Sequence, residues 1–336
     1  MTSINVVAFE NGVGNSRDLA LVTRALAGLG YEVAVTSVSA RVRRRRRSQL
    51  MRAISALRLW LSRRRLARGE RSRFDVNLML EHVWPEALPL AACNIVVPNP
   101  EWFDRRDRGL LASVDRVWTK TGHSLDAFAA LGCRTTLIGF DSEDRYDAAV
   151  PRERSFLHLA GKSRMKGSAR LVGLWARHPE WPMLTVVHSR KAVFEVVAAP
   201  NITYETRYLS DAELRGLQNR HRFHLCLSET EGWGHYIPEA LSVGAVVLTT
   251  DAAPMNEHVT AARGLLVGCA PHGRQHLAAT YTFDEAALER AVAAALALDD
   301  AGLARLGAAA RAWFLDNQRS FPDRLARALA EAGAGR

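Results

Sequence analysis

Short apolar runs alternate with helical periodicity along most of the chain. The first run, INVVAF at 4–9, predicts a buried strand, and the leucine-rich stripe behind it predicts a helix over about 17–29 that ends at Gly30. Further strands are predicted at EVAVTS, FDVNLML, NIVVP, RVWTK and TTLIGF, and later at SFLHLA, MLTVV, NITYE, FHLCL, AVVLTT and GLLVG. Strands that alternate with helices favour right-handed βαβ units and a parallel sheet that is covered on both faces.

A polar stretch, DSEDRYDAAVPRER at 141–154, separates two such series and predicts a linker. A single hydrophobic core stops growing near ~250–300 residues, so a chain of 336 residues is expected to form two domains. We predict an α/β protein with a Rossmann-like doubly wound domain over 1–145 and a second one over 152–310. Ligands of such sheets bind outside the carboxyl ends of the strands, so a ligand is expected in a cleft where the two sheets face each other.

Helix starts in the second series are marked by capping boxes, in which a hydroxyl and a glutamate three residues later satisfy free backbone N–H groups. Ser210 with Glu213 and Thr282 with Glu285 have this spacing. The last ~50 residues are rich in Ala, Leu and Arg, which favour a helical carboxyl terminus.

Composition restricts the class of protein. The chain is 48% hydrophobic and 24% charged, which is typical of globular domains. It has no run of the roughly 18 apolar residues that a membrane span requires, and no basic segment precedes an apolar core at the start, so neither a span nor a secretory signal is predicted. The four cysteines are scattered without a CxxC pair, which argues against a zinc site or a disulfide framework and predicts a reducing cytoplasm.

The net charge of +10 is concentrated in one element. Residues 41–73 contain fourteen arginines and one acid, Glu70, which gives +13, and the remaining 31 basic and 34 acidic residues give −3. The body of the protein is therefore mildly acidic.

Two glutamates lie eight positions apart in ETEGWGHYIPEA, at Glu231 and Glu239. Pro238 suits the first turn of a helix, so Glu239 is expected in that turn and Glu231 in the loop before it. Gly232 and Gly234 allow the backbone to approach a ligand closely, and carboxylates accept hydrogen bonds from neighbouring hydroxyls of a ribose or a hexose. The helix dipole alone would explain Glu239, but it would not explain the glycines, Trp233 and Glu231.

This pattern, E-G-aromatic-G-x-x-x-x-E-A followed by G-x-V-V, resembles the retaining GT-B glycosyltransferases of the family 4 type over about 155–260. The resemblance implies a GT-B fold, in which carboxyl-terminal helices over 311–336 cross back to the first domain. It also implies that Glu239 holds the ribose of a nucleotide sugar and that Glu231 holds hydroxyls of the transferred sugar, with Gly232, Trp233 and Gly234 beside them.

A second motif agrees with the first. In LHLAGKSRMKG the resemblance assigns the two diphosphate-binding positions to Lys162 and Lys166, and Arg164 shares the role because the first position is more often arginine in the family. Fixed cations at a helix start stabilise a departing diphosphate. A solvated lysine turn is the alternative.

Other candidates lie in the amino-terminal half, where NGVGNS places Gly12 and Gly14 after the first strand. By the resemblance, their backbone amides face the donor phosphate, although a tight turn is the ordinary explanation. PNPEWF lacks the histidine that the family often has there, so Asn99 or Glu101 is expected to replace it, and Lys120 is a further candidate on the acceptor side.

No metal or other cofactor is expected. DSED at 141–144 resembles a metal-binding D-x-D but lies in the predicted linker, and the two histidines of HRFH precede a strand that separates their rings. The donor is expected to be a UDP-sugar or a GDP-sugar, with Tyr208 near the base.

The arginine-rich element contains an amphipathic helix. Its apolar stripe is formed by Leu50, Ile54, Leu57 and Leu61, widened by Met51 and Trp60, and its arginines include Arg52, Arg58, Arg63, Arg64 and Arg65. Three alternatives exist: an anionic membrane surface, nucleic acid, or a solvated flap. The resemblance favours a membrane or an anionic acceptor, and no nucleic-acid-binding motif accompanies the helix.

The expected activity is hexosyl transfer from a nucleotide diphosphate sugar to a hydroxyl of a glycan or lipid-linked acceptor, in bacterial surface glycan or glycolipid synthesis. The expected place is the cytoplasm, at the inner face of the cytoplasmic membrane. The resemblance implies retention of configuration, and the absence of an obvious carboxylate nucleophile favours a front-face route assisted by the diphosphate. A catalytically inactive GT-B partner subunit and a nucleic-acid-binding protein are the alternatives.

Overall fold

The structure, a computed structural model, describes residues 2–9, 14–38, 49–189 and 194–333. The chain divides into two compact units. The first comprises Met1–Asp141, Gln275–Ala278 and Gln318–Arg336, and the second comprises Ser142–Arg274 and Ala279–Asn317.

The first unit is built on a parallel sheet. Its strands in the described ranges are β1 (Ser3–Ala8), β2 (Glu32–Ser37), β3 (Phe74–Glu81), β4 (Ala91–Pro98), β5 (Arg116–Thr119) and β6 (Thr135–Leu137), in the order β2-β1-β3-β4-β5-β6. Its α-helices there are α1 (Gly14–Gly28), α2 (Gln49–Ala67), α3 (Arg105–Arg108) and α4 (Gly122–Ala129), with 3₁₀ turns at Leu88–Leu90, Pro100–Trp102 and Leu111–Ser113.

A ladder of polar side chains crosses this buried sheet. Thr36 Oγ1 donates to Asn5 Oδ1 at 2.7 Å, Asn5 Nδ2 donates to Asn77 Oδ1 at 2.9 Å, and Asn77 Nδ2 donates to Asn94 Oδ1 at 2.8 Å. The three asparagines are register partners on β1, β3 and β4. Because a buried amide is costly unless it is hydrogen-bonded, the ladder penalises any other alignment of these strands.

The second unit repeats the plan. Its strands in the described part are β7 (Glu153–Gly161), β8 (Leu184–His188), β9 (Ile202–Glu205), β10 (His221–Cys226), β11 (Val246–Thr250) and β12 (Gly264–Val267), in the parallel order β12-β11-β10-β7-β8-β9, and β13 (Cys269–Gln275) pairs with β14 (Ala278–Phe283). The helices are α5 (Ser168–Ala176), α6 (Asp211–Arg220), α7 (Tyr236–Ser242), α8 (Met255–His258), α9 (Glu285–Leu296) and α10 (Asp300–Glu331), the last of which continues into the first unit. The predicted pair of doubly wound α/β domains is confirmed.

Local predictions had mixed outcomes. The capping box at Ser210 is present with both of its hydrogen bonds. The box predicted at Thr282 is wrong, because α9 begins after Asp284, whose side chain accepts from Ala287 N at 2.7 Å. The hairpin β13–β14 was not predicted, since Pro271 and a glycine interrupt its exposed first strand and remove the apolar alternation of a half-buried strand.

No helix in the described ranges combines the length and the apolar character needed to cross a membrane.

Candidate functional site

The strand order of the second unit reverses between β7 and β10. Strands β8 and β9 lie on one side of β7, and β10 to β12 lie on the other. Ligands of open parallel sheets bind outside the carboxyl ends at such a switch point, because the loops diverge there. The loop after β7 carries the predicted lysines and the loop after β10 carries Glu231. A hydrogen bond of 2.8 Å from Glu229 N to Met165 O joins the two loops.

Lys166 is the enclosed cation of the first loop, with 15% of its side chain exposed. Its Nζ lies 3.3 Å from Glu231 Oε1 and 3.0 Å from the centre of the Tyr236 ring. A carboxylate and an aromatic face both attract an ammonium group, so Lys166 is positioned by the protein itself. Lys162 and Arg164, by contrast, are exposed.

Glycine is required where this loop enters α5. Gly167 has φ +65°, and a Cβ at this position would lie 2.7 Å from the carbonyl oxygen of Leu227. Both the left-handed backbone and the close approach to the end of β10 exclude a larger residue. The same glycine therefore sets the distance between the two loops.

Buried histidine anchors the start of α5 to the sheet. His158 Nδ1 donates to Leu225 O at 2.9 Å, and its Nε2 accepts from Ser168 Oγ at 2.8 Å. Burial lowers the pKa of His158 to about 4, so the ring is neutral at pH 7 and holds this pair of bonds in one tautomer.

Glu231 is oriented by hydroxyl groups. Ser228 Oγ donates to Glu231 Oε1 at 2.6 Å, and because this hydroxyl has one proton, Tyr236 Oη donates to Ser228 Oγ at 2.6 Å. Burial raises the pKa of Tyr236 well above its usual value, so the phenol keeps the proton that it donates. Thr250 Oγ1 in turn donates to Ser228 O at 2.9 Å. The carboxylate is thus held in one orientation at the end of β10.

The segment between the two glutamates is largely structural. Trp233 is buried, its Nε1 donates to Ser142 Oγ at 3.0 Å, and its carbonyl accepts from His258 Nε2 at 2.8 Å. Gly234 has φ +72°, and a Cβ there would lie 3.0 Å from Glu231 Cγ, while Gly232 is buried. Of the predicted donor-side residues here, the structure therefore uses the indole for packing and Gly234 to make room for Glu231.

Glu239 lies in the first half of α7 with 1% exposure. Its Oε2 accepts from Gln218 Nε2 at 2.9 Å, Gln218 Oε1 accepts from Arg145 Nε at 3.1 Å, and Arg145 Nη1 pairs with Asp211 Oδ1 at 2.6 Å. A hydrogen-bonded chain thus runs from a buried carboxylate to the surface of α6 and fixes its position. Tyr208, predicted near a base, is 93% exposed and does not take part in this chain.

Sequence reasoning missed three of these groups. Gln218 lies in a polar helix without a motif, and Ser228 and Tyr236 are ordinary residues around a strand end and a helix start. The sequence shows how Ser228 and Tyr236 are spaced around Glu231. The hydrogen bond between their hydroxyl groups, however, depends on the turn at Gly234. The polar stretch predicted as a linker also contributes, because Arg145 is buried and Asp144 pairs with Arg311 at 2.5 Å.

The histidines of HRFH, which have the spacing of metal ligands, make other contacts. His221 Nδ1 lies 2.7 Å from Ser155 Oγ, and His224 Nε2 lies 2.9 Å from Gln218 O. Burial lowers the pKa of His224 to about 3. Within the described ranges, no group of three or more His, Cys, Asp or Glu side chains is placed to hold a metal ion.

The candidates of the first unit have varied environments. Gly12 lies outside the described residues, and Gly14 is the first residue of α1. Asn99 is half-buried and Glu101 is buried, both next to the end of β4. Lys120 is buried, with its Nζ 2.5 Å from Oδ2 of an α1 aspartate and 4.4 Å above the ring of a phenylalanine, so it serves an internal ion pair rather than an open surface.

The predicted apolar stripe of helix α2 is exposed at Leu57 and Leu61 and half-buried at Ile54. The inner face of the helix carries Ser55 and Leu59, which are buried, whereas Trp60 is 49% exposed. Also exposed are Leu57, Leu61, Arg58, Arg63, Arg64 and Arg65. The Arg64 guanidinium lies 4.1 Å from the centre of the Trp60 ring. The side chains of Leu50, Met51 and Arg52 lie outside the described part.

No protein-family profile and no curated protein matches this sequence. Solved structures do match it. A glycosyltransferase from Rickettsia africae ESF-5 has a TM-score of 0.71 at 12% identity, covering 100% of this chain and 99% of that one. Sucrose-phosphate synthase from Thermosynechococcus elongatus has a TM-score of 0.71 at 14% identity with 100% of both chains covered.

Anabaena HepE in complex with UDP and glucose has a TM-score of 0.66 at 13% identity, covering 98% of this chain and 100% of that one. At identities this low, the structural matches establish the fold alone. Together with the two parallel sheets and their strand order, these matches show that the chain has the GT-B fold, with two Rossmann-like domains.

Proposed function

We propose that this protein is a hexosyltransferase that moves a sugar from a nucleotide diphosphate sugar to an acceptor hydroxyl. The observation that carries the proposal is the contact of Lys166 with Glu231 at the switch point of the second sheet, with the buried Glu239 one turn beyond Tyr236. The structural neighbours support it, because HepE was solved with UDP-glucose and an E. coli trehalose-6-phosphate protein with UDP-2-fluoro glucose.

Each group has a role in this proposal. Lys166 neutralises the charge that develops on the departing diphosphate, and the exposed Lys162 and Arg164 add cations at the same loop. Glu239 accepts hydrogen bonds from the ribose, and Glu231 accepts them from the transferred sugar. When the diphosphate takes the ammonium of Lys166, Glu231 exchanges that partner for sugar hydroxyls, so donor binding replaces the resident ion pair.

Retention of configuration is part of the proposal and rests on the resemblance to retaining enzymes. In a front-face step the bond from the anomeric carbon to the diphosphate oxygen breaks and the bond to the acceptor oxygen forms on the same face. The acceptor proton passes to the departing diphosphate, whose charge Lys166 offsets. This proposal requires neither a covalent enzyme intermediate nor a metal.

A thermal-shift panel of UDP-sugars and GDP-sugars tests the donor site. Binding to the native state raises the unfolding temperature, and the shift given by the best donor is expected to vanish in Lys166→Ala and in Glu239→Ala. Arg170→Ala is the control, because this nearby exposed arginine pairs with Glu285 at 3.3 Å and has no assigned role. A donor whose shift persists in both site variants would show that the nucleotide binds elsewhere.

We further propose that the exposed face of α2 docks on an anionic membrane, which fits a lipid-linked or glycan acceptor, surface glycolipid synthesis and a place on the inner face of the cytoplasmic membrane. Trp60 and Leu61 insert at the interface while the arginines attract anionic headgroups, at roughly 1 kcal/mol per basic residue.

Flotation with neutral and anionic vesicles tests the docking. Recovery is expected only with anionic vesicles and is expected to fall in Trp60→Ala, whereas Leu131→Ala, at an exposed leucine outside α2, is the control. Equal recovery from both vesicles would contradict the proposal. Salt-sensitive DNA binding that is lost on deletion of 41–73, without vesicle binding, would favour the nucleic-acid alternative.

A further inference from the structure

A buried His–Asp pair lies at the carboxyl end of β3 in the first unit. His82 Nδ1 is 2.9 Å from Asp107 Oδ2, and Asp107 Oδ1 accepts from Val83 N at 3.2 Å. Asp107 is fully buried. A carboxylate oxygen accepts, so Nδ1–H donates to Asp107, and the other ring nitrogen, Nε2, is directed away from Asp107.

A second carboxylate adjoins the ring on its opposite side. Glu81 Oε2 lies 3.6 Å from His82 Nε2, which is longer than a hydrogen bond. Glu81 has φ +65°, a conformation that a residue with a side chain rarely adopts and that persists only where the surroundings impose it. The strained backbone brings Glu81 and Nε2 of His82 together at the end of the strand.

The position in the sheet is where a ligand is expected. The strand order of the first unit reverses between β1 and β3, so the segment after β3 borders the switch point of this sheet, as the lysine and glutamate loops do in the second unit. Val7 of β1 is level with Met79, and Pro98 of β4 is level with Glu81. His82 therefore borders the end of β1 and the PNPE segment.

We propose that Glu81 and His82 form a binding subsite for a saccharide acceptor, in which Nε2 of His82 and the Glu81 carboxylate form hydrogen bonds with neighbouring sugar hydroxyls. Asp107 is a positioning residue that holds the ring through Nδ1, so that Nε2 is the nitrogen that meets the sugar. The inference rests on the proposed function, because it supplies the second substrate of the transfer.

Two variants separate binding from folding. His82→Gln removes the ring and its Nε2. In Asp107→Asn the amide oxygen can satisfy Val83 N or His82 Nδ1 but not both, so the ring is no longer held in one orientation. Asp115→Asn is the matched control, since this carboxylate also accepts from a backbone amide of the first unit, Asn94 N, at 2.8 Å. Circular dichroism and the unfolding temperature report whether each variant folds.

The experiment measures two ligands on each protein. Saturation-transfer NMR with methyl glycosides of glucose, galactose, mannose and N-acetylglucosamine reports saccharide binding, and calorimetry with UDP and GDP reports the nucleotide. Loss of one hydrogen bond is expected to raise the dissociation constant of the bound glycoside about tenfold in His82→Gln and in Asp107→Asn, with nucleotide affinity unchanged. Asp115→Asn is expected to leave both unchanged.

The outcomes distinguish this inference from the proposed function. A glycoside that binds His82→Gln as well as it binds the original protein overturns the subsite, as does the absence of binding by all four glycosides. If no nucleotide binds but the glycoside is lost in His82→Gln, the saccharide subsite holds and the donor proposal fails.

Discussion

Replacing Glu239 with glutamine tests the proposed ribose contact with a small change in shape. The carboxylate is 1% exposed and its Oε2 accepts from Gln218 Nε2 at 2.9 Å. In the variant the amide oxygen keeps that bond, so the amide NH₂ takes the place of the other carboxylate oxygen. A group that accepts from a ribose hydroxyl thereby becomes one that can only donate.

The expected loss follows from the burial and charge of this carboxylate. A hydrogen bond to a charged group contributes about 1.5–3 kcal/mol, and each 1.4 kcal/mol changes a dissociation constant about tenfold. Because Glu239 is buried, water has little access to replace the bond. Nucleotide affinity is therefore expected to fall about 10- to 150-fold, while the chain through Gln218 and Arg145 preserves the fold.

Isothermal titration calorimetry with UDP and GDP measures this change. Glu213→Gln is the control, because it makes the same chemical change in the capping box of α6, and we expect it to lower stability and to leave nucleotide affinity unchanged. An unchanged dissociation constant in Glu239→Gln would refute the reasoning and leave Glu239 with only the structural role of complementing the start of α7.

Three further predictions address the framework of the two sheets. Asn77→Leu leaves the buried amides of its two asparagine neighbours without their partner, so urea unfolding is expected to show a loss of about 2–5 kcal/mol, and a change within about 0.5 kcal/mol would contradict the ladder. Gly167→Ala is expected to lower both the unfolding temperature and UDP affinity, because an alanine in the left-handed backbone costs about 1–2 kcal/mol and its Cβ would lie 2.7 Å from a carbonyl oxygen. Gly173→Ala is the control, because a Cβ at that position of α5 meets open space. The folded-state pKa of His158, about 4, lies below the ordinary value of about 6.5, so its stabilising contribution is complete above pH 6.5 and is lost as the pH falls through 4. His158→Gln is therefore expected to flatten that part of the stability–pH curve by up to about 1.4 kcal/mol per pH unit. An unchanged slope would argue against a buried neutral ring.

Alternating apolar runs determined most of the secondary structure and the fold class. A buried parallel strand must be apolar over four to eight residues, so twelve strands could be located from the sequence, and their alternation with helices determined the two doubly wound sheets. The glutamate and lysine motifs were also visible, because each lies within one short segment. Their adjacency followed from topology, since the loops after β7 and β10 flank the switch point.

Only the tertiary structure decided which side chains meet. Lys166 and Glu231 are 65 residues apart, Gln218 reaches Glu239 across 21 residues, and His82 reaches Asp107 across 25. Contacts of this kind depend on strand register and loop direction, which one sequence does not encode in any local pattern. Likewise, helical periodicity predicted an apolar stripe on α2, but in the folded protein Leu59 packs on the inner face and Trp60 is exposed. Periodicity identifies a face, whereas the neighbouring elements determine whether that face is covered.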